Sequence, residues 1–219
     1  MTGWPEYSAD FVRQRYNRLA PIYPVFEVLF ALPWGIRARA AARLELQPGN
    51  RVLEVACGTG RNLPHLRNAV GSTGHVYGVD ASPGMLERAR ERSRRNGWPN
   101  VTLQLNDACD YSLPEAVDGA LFSLCYCVLS RRRQALWHAW DCLRPGGILV
   151  LMEAKSASGW RGRLLTPLAD WLSRATVLGN PYLEPWKDVA ELAGKFEMEE
   201  IWGGTYFICW ARKPKNEAA

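Results

Sequence analysis

The sequence has no C-x-x-C pair, only three histidines and no uninterrupted apolar run long enough to cross a bilayer. The first two absences leave no ligand spacing for a Cys/His zinc site. The longest apolar stretch, Pro21 to Ile36, is broken by Glu27 and three prolines, and it falls short of the roughly 20 residues a spanning helix needs. Met1 to Arg15 mix acids and bases without an apolar core, so a secretory leader is not expected. The six cysteines are accordingly expected as free thiols in a reducing cytoplasm. Lysine is scarce as well, since 5 of the 27 basic residues are Lys and the rest Arg, for a net charge of +5. That balance permits anionic partners, including peripheral contact with an anionic membrane face, although genomic base composition produces the same arginine surplus.

What is present describes one ordinary globular domain. Its 219 residues are 47% hydrophobic and 22% charged, which excludes disorder and a disulfide-stapled mini-protein. Ten residues are Trp, and nine of these lie outside Gly35 to Arg133. After a preamble of about fifty residues, short β-rich runs alternate with helical segments, the pattern of a parallel sheet covered by helices. Strands are expected at Arg51–Val55, His75–Asp80, Val101–Leu105, Val117–Leu124 and Ile148–Met152, the last entered through an Arg144-Pro-Gly-Gly147 turn. Ser82 and Pro83 read as the N-cap and first residue of a helix. The basic run Arg88 to Arg95 is interleaved with Glu87 and Glu91, which marks a solvated helix face rather than a nucleic-acid patch. Trp160 to Leu172 recur at helical spacing as an inserted amphipathic helix. Two final strands, Glu197–Trp202 and Thr205–Arg212, are joined by Gly203-Gly204, a link short enough to force an antiparallel hairpin.

A strand running directly into a Gly-containing turn and a helix aims backbone N–H groups at the carboxyl edge of a sheet, where open α/β folds bind ligands. Asp80 ends the next strand twenty residues after Gly60, a position from which a carboxylate reaches both hydroxyls of a ribose. A nicotinamide fingerprint requires glycine where Leu63 stands, so that cofactor is not expected.

The run Val52-Leu-Glu-Val-Ala-Cys-Gly-Thr-Gly60, with Asp80-Ala-Ser-Pro-Gly-Met-Leu86, Asn106-Asp-Ala108 and Leu143-Arg-Pro-Gly-Gly147 following in order, resembles the class I S-adenosylmethionine-dependent methyltransferases. The likeness spans about Arg51 to Glu153. It implies an α/β fold with a seven-stranded Rossmann-like sheet, mostly parallel with the last strand antiparallel and helices on both faces. It also implies S-adenosyl-L-methionine as donor and S-adenosyl-L-homocysteine as product. Glu54 and the turn through Ala56, Gly58 and Gly60 would hold the donor's methionine end, Asp80 its ribose, and Asp107 with Ala108 its adenine, flanked by Ala81 and Met85. Ala56 departs from the glycine of many members, a swap common in relatives resembling ubiquinone and phospholipid methyltransferases. Tyr16-Asn-Arg-Leu-Ala-Pro-Ile-Tyr23 looks like the tyrosine-containing lid of those enzymes. The turn through Asn62 resembles the donor loop of bacterial betaine-lipid N-methyltransferases.

Methyl transfer from a sulfonium is an in-line displacement, so alignment and desolvation are the main requirements. The end of strand four, Ser123-Leu124-Cys-Tyr-Cys127, faces the acceptor in such folds, with Leu124 against the donor. It lacks the box of amino-methyltransferases acting on nucleic-acid bases, and a nucleic-acid substrate is not expected. Tyr126, Tyr23 and Tyr16 would shape an acceptor pocket, where rings attract a substituted ammonium. Glu153 would accept a proton or pair with an amine. The favoured acceptor is the amine of a lipid headgroup or small molecule. C-methylation of a lipid-soluble quinone, O- or S-methylation of a hydrophobic metabolite, and an inactive donor-binding regulator are the alternatives. The apolar stretches Val25 to Trp34 and Trp160 to Leu172 either rest on a bilayer or cover the sheet. The expected organisation is one domain: residues 1–50 as lid and cover helices, 51–153 as donor-binding core, 154–195 as helical insertion and 196–212 as terminal hairpin.

Overall fold

The computed structural model describes residues 7–21, 35–155 and 179–215. Within them run α1 (Ala9–Leu19), α2 (Ile36–Ala42), β1 (Arg51–Val55), α3 (Leu63–Val70), β2 (His75–Asp80), α4 (Pro83–Arg95), β3 (Val101–Leu105), β4 (Val117–Ser123), α5 (Arg132–Asp141), β5 (Leu143–Ala154), α6 (Pro185–Ala193), β6 (Glu197–Ile201) and β7 (Tyr206–Arg212). The strands form one seven-stranded sheet in the order β3-β2-β1-β4-β5-β7-β6. β1 to β5 pair in parallel, while β7 lies antiparallel between β5 and β6. The expected α/β class and antiparallel last strand are both found. The expected inserted helix at Trp160 to Leu172 and the stretch Val25 to Trp34 lie outside the described residues.

The period-two alternation of buried strand residues divides the interior into two layers. Leu53, Val55, Val79, Phe122, Leu149 and Leu151 face α5 and α6 through Ala135, Leu136, Ala139 and Val189. Val52, Val76, Leu121, Ile148, Val150 and Met152 face α2 and α3 through Ile36, Ala40, Leu63 and Leu66. Each such side chain, removed from water, contributes about 1.5 to 3 kcal/mol. α4 starts where expected: Ser82 Oγ accepts the Met85 N–H at 3.3 Å and Pro83 occupies the first turn. On the other face of the sheet the C-terminus of α5 is closed by Lys213, whose Nζ donates to the Trp140 and Leu143 carbonyls at 2.8 and 2.9 Å.

Strand β5 differs from its expected form. Val117 pairs with Leu143 and Gly119 with Ile148, so Arg144 to Gly147 bulge out of a continuous strand instead of preceding it. Gly146, at φ +82°, supplies the left-handed residue this bulge requires. The chain order reverses beside β1, which has β2 on one side and β4 on the other. That reversal opens a crevice at the carboxyl ends of these strands.

Candidate active site

The crevice is an open cleft lined from β1, β2 and β4, the turns after β1 to β4, α1 and α2. The turn after β1 is held by three left-handed residues, Ala56 (φ 52°), Gly58 (φ 55°) and Gly60 (φ 72°). Asp80 ties it to the next loop, because Oδ2 accepts the Gly58 N–H at 2.7 Å and Oδ1 accepts the Ser82 N–H at 2.8 Å. Burial raises the Asp80 pKa from its ordinary value, and these two backbone bonds oppose the rise.

Glu54 is the most constrained group. It is 2% exposed, its Oε1 accepts the Asn62 side-chain N–H at 2.6 Å, and its Oε2 has no hydrogen-bond partner among the described residues. Burial pushes its pKa up to about 7 against the pull of the Asn62 bond and Arg37. Asn62 is held in turn by the Arg37 guanidinium, which donates to Asn62 Oδ1 and Ser123 Oγ, both at 3.3 Å. On the opposite wall, Asp107 Oδ1 accepts from Arg131 at 3.0 Å and from the Cys109 backbone N–H at 2.9 Å.

Of the residues singled out in the sequence, Tyr16, Glu54, Ala56, Gly58, Asn62, Asp80, Ala81, Met85, Asp107, Ala108 and Leu124 line this cleft. Leu124 does so from the left-handed region, at φ 57°, a strained backbone where β4 ends. Tyr23 lies outside the described residues.

Three residues stand elsewhere. Gly60 is not part of the lining; a Cβ there would lie 2.5 Å from Leu63 Cδ1 and 3.1 Å from Ala89 Cβ, so this glycine serves close packing of the turn. Tyr126 is fully buried. Its ring meets Phe122 edge-on at 5.8 Å and its hydroxyl donates to Asp188 on α6 at 2.9 Å, which directs it into the core rather than toward an acceptor. Glu153 is also buried, and its Oε1 accepts the backbone N–H groups of Tyr126 and Cys127. Burial raises its pKa to about 7, but the carboxylate clamps the turn after β4 and does not line the cleft.

Arg37 and Arg131 were not singled out in the sequence. Both lie outside the four motifs, and the long sequence separations of their bonds to Ser123 and Asp107 give no local signal. None of the three histidines lines the cleft.

The orphaned Glu54 Oε2, the acids at 80 and 107 on separate loops and the apolar Met85 and Ala108 between them suit a ligand with a cationic end, a ribose and a flat heterocycle. The family described as Methyltransferase domain matches residues 52–147. The demethylmenaquinone methyltransferase of Symbiobacterium thermophilum is 32% identical over 182 residues, 76% of this chain and 71% of that protein. Among solved structures, phospholethanolamine N-methyltransferase 2 of Haemonchus contortus, in complex with phosphomonomethylethanolamine and S-adenosylhomocysteine, has a TM-score of 0.75 at 17% identity, covering 97% of this chain and 62% of that one. A SAM-dependent methyltransferase from Aquifex aeolicus has a TM-score of 0.63 at 20% identity, covering 86% and 97%. At these identities the two structures support the fold alone. With its ordered motifs, its cleft and a relative matched over most of both chains, this protein belongs to the class I S-adenosylmethionine-dependent methyltransferases.

Proposed function

We propose that the enzyme methylates a ring carbon of a lipid-soluble quinol. The observation that carries this is the match, across 76% of the chain, to a protein named for demethylmenaquinone methylation. The cleft's charge agrees with it. Arg13, Arg37, Arg61 and Arg131 contribute to the lining, and Tyr16 is the one aromatic ring among the described lining residues. An amine acceptor, the first expectation from sequence, needs rings or carboxylates around an ammonium. Among the described residues, Tyr126 stands in the core and Glu153 clamps backbone amides, so neither offers an amine its ring or carboxylate in the cleft.

When bound, S-adenosylmethionine supplies an electrophilic methyl group on a sulfonium. Glu54, through Oε2, is the group available to its ammonium, and Arg37 the cation available to its carboxylate. Asp80 retains lone pairs for the ribose hydroxyls beyond the two backbone bonds it accepts. Asp107 and Ala108, with Met85, bound the adenine end. On the acceptor side, carbon methylation requires that a ring hydroxyl lose its proton so that negative charge reaches the carbon. A nearby cation lowers such an acid's pKa by about 1 to 3 units. The cleft arginines thereby assist ionisation without a histidine base, and closure of α1 would exclude water from the anion.

Incubation with the donor and chemically reduced demethylmenaquinone, followed by mass spectrometry, tests the proposal. The expected product is the reduced quinone gained by one methyl, with none from the oxidised quinone, whose ring carbon is not nucleophilic. Turnover of phosphatidylethanolamine in place of the quinol would overturn it. Because the acceptor is lipid-soluble, peripheral membrane contact is proposed with it, and flotation on anionic vesicles that weakens with salt is the check.

A further inference from the structure

We propose that Asn17 positions α1 across the donor cleft by capping the first turn of α4. The inference rests on the donor site described above. Ala9, Val12, Arg13 and Tyr16 line the cleft, and their spacing of three and four puts them on one helical face. Yet α1 contains no buried residue, so little apolar burial holds that face in place. Its attachment is at the other end. Asn17 Oδ1 accepts the Gly84 N–H at 2.8 Å, an amide in the first turn of α4 that has no partner within its own helix. Ala20, the C-cap of α1, is 3% exposed.

Gly84 makes the approach possible. A Cβ at this position would stand 2.7 Å from Asn17 Oδ1 and 3.2 Å from both Ala20 Cβ and Asn17 O. Glycine is a poorer helix former than alanine, and here it gives α1 room to dock. The capped turn also carries Met85 and follows Asp80, Ala81 and Ser82, all four in the cleft lining. Asn17 itself does not line the cleft. One bond therefore joins the helix covering the donor cleft to the loop forming its floor, and Asn17 is a positioning residue whose effect on donor affinity passes through α1.

Calorimetric titration of the full chain with S-adenosylhomocysteine tests this, with the ligand-free melting temperature measured beside it. Asn17→Ala should weaken binding about tenfold, the equivalent of about 1.4 kcal/mol, with little change in the melting temperature because the bond is exposed. Gly84→Ala should weaken it at least as much, because its Cβ crowds Ala20 Cβ and the Asn17 carbonyl oxygen as well as the Asn17 side chain. Asn17→Asp should retain affinity, because a carboxylate accepts the same N–H and its charge suits a helix N-terminus. Wild-type affinity in Asn17→Ala or in Gly84→Ala, or failure of Asn17→Asp to retain binding, would each overturn the proposal. Absence of binding by the wild-type chain would instead overturn the donor site on which it rests.

Discussion

Two buried carboxyls, Glu54 and Glu153, both have pKa values raised to about 7, but only Glu54 lines the cleft. That difference makes a decisive pair of variants. A raised carboxyl pKa means that folding favours the protonated form. The associated stability is full below the unfolded value of 4.5 and is lost as pH rises toward and through 7. The shift corresponds to about 3 kcal/mol between pH 4 and pH 8 for each group, at about 1.4 kcal/mol per pH unit. Glu54→Gln and Glu153→Gln should each remove a comparable part of the pH dependence of unfolding, measured by urea denaturation. Binding separates them. If ionised Glu54 pairs with the donor's ammonium, S-adenosylhomocysteine affinity should rise about 50-fold from pH 5 to pH 7, and binding near pH 6 should release close to one proton. Glu54→Gln should flatten that profile and abolish the proton release, whereas Glu153→Gln should leave both intact. In Glu54→Gln the Asn62 side chain can still donate to the new amide's carbonyl oxygen, so the loop geometry survives the change. Calorimetry in buffers of different ionisation enthalpy measures the proton directly. An unchanged profile in Glu54→Gln, or a flattened one in Glu153→Gln, would refute the assignment of Glu54 to the donor's ammonium.

Other outcomes follow from backbone geometry and packing. Ala56 sits at φ 52°, so Ala56→Gly should stabilise the protein by about 1 kcal/mol in thermal or urea unfolding, by relieving a left-handed alanine. Gly60→Ala adds a clash with Leu63 and Ala89 to backbone strain and should cost about 2 to 4 kcal/mol. Gly58→Ala meets nothing within 4 Å and should cost only about 1 kcal/mol; equal melting temperatures for the two variants would contradict this ordering. Tyr126→Phe should lose about 1 kcal/mol with its bond to Asp188 and leave S-adenosylhomocysteine affinity unchanged. A large loss of affinity there would return Tyr126 to the site.

The donor cleft was legible because its parts are local. A strand that must be followed at once by a tight turn needs left-handed residues at fixed offsets, and an acid at the end of the neighbouring strand falls beside that turn once the strands pair. Glu54, Gly58, Asp80 and Asp107 are therefore visible as short motifs. Arg37 and Arg131 were not visible, because their importance depends on partners 86 and 24 residues away. Tyr126 and Glu153 stand away from the cleft for a related reason. Both occur at the expected edge of the sheet, but the short 3-10 turn Tyr126–Val128 rolls the tyrosine inward. Its amides then occupy the carboxylate that sequence position alone left free.

Fold class, donor and the motifs that line the cleft all follow from the order of residues along the chain, since strand periodicity, turn chemistry and the spacing of acids are local properties. Which side chains share the cleft is settled by folding alone. Packing drew Tyr126 and Glu153 into the core, added Arg37 from the preamble, and laid α1 over the site through Asn17 and Gly84, because each of these depends on contacts between segments far apart in the chain.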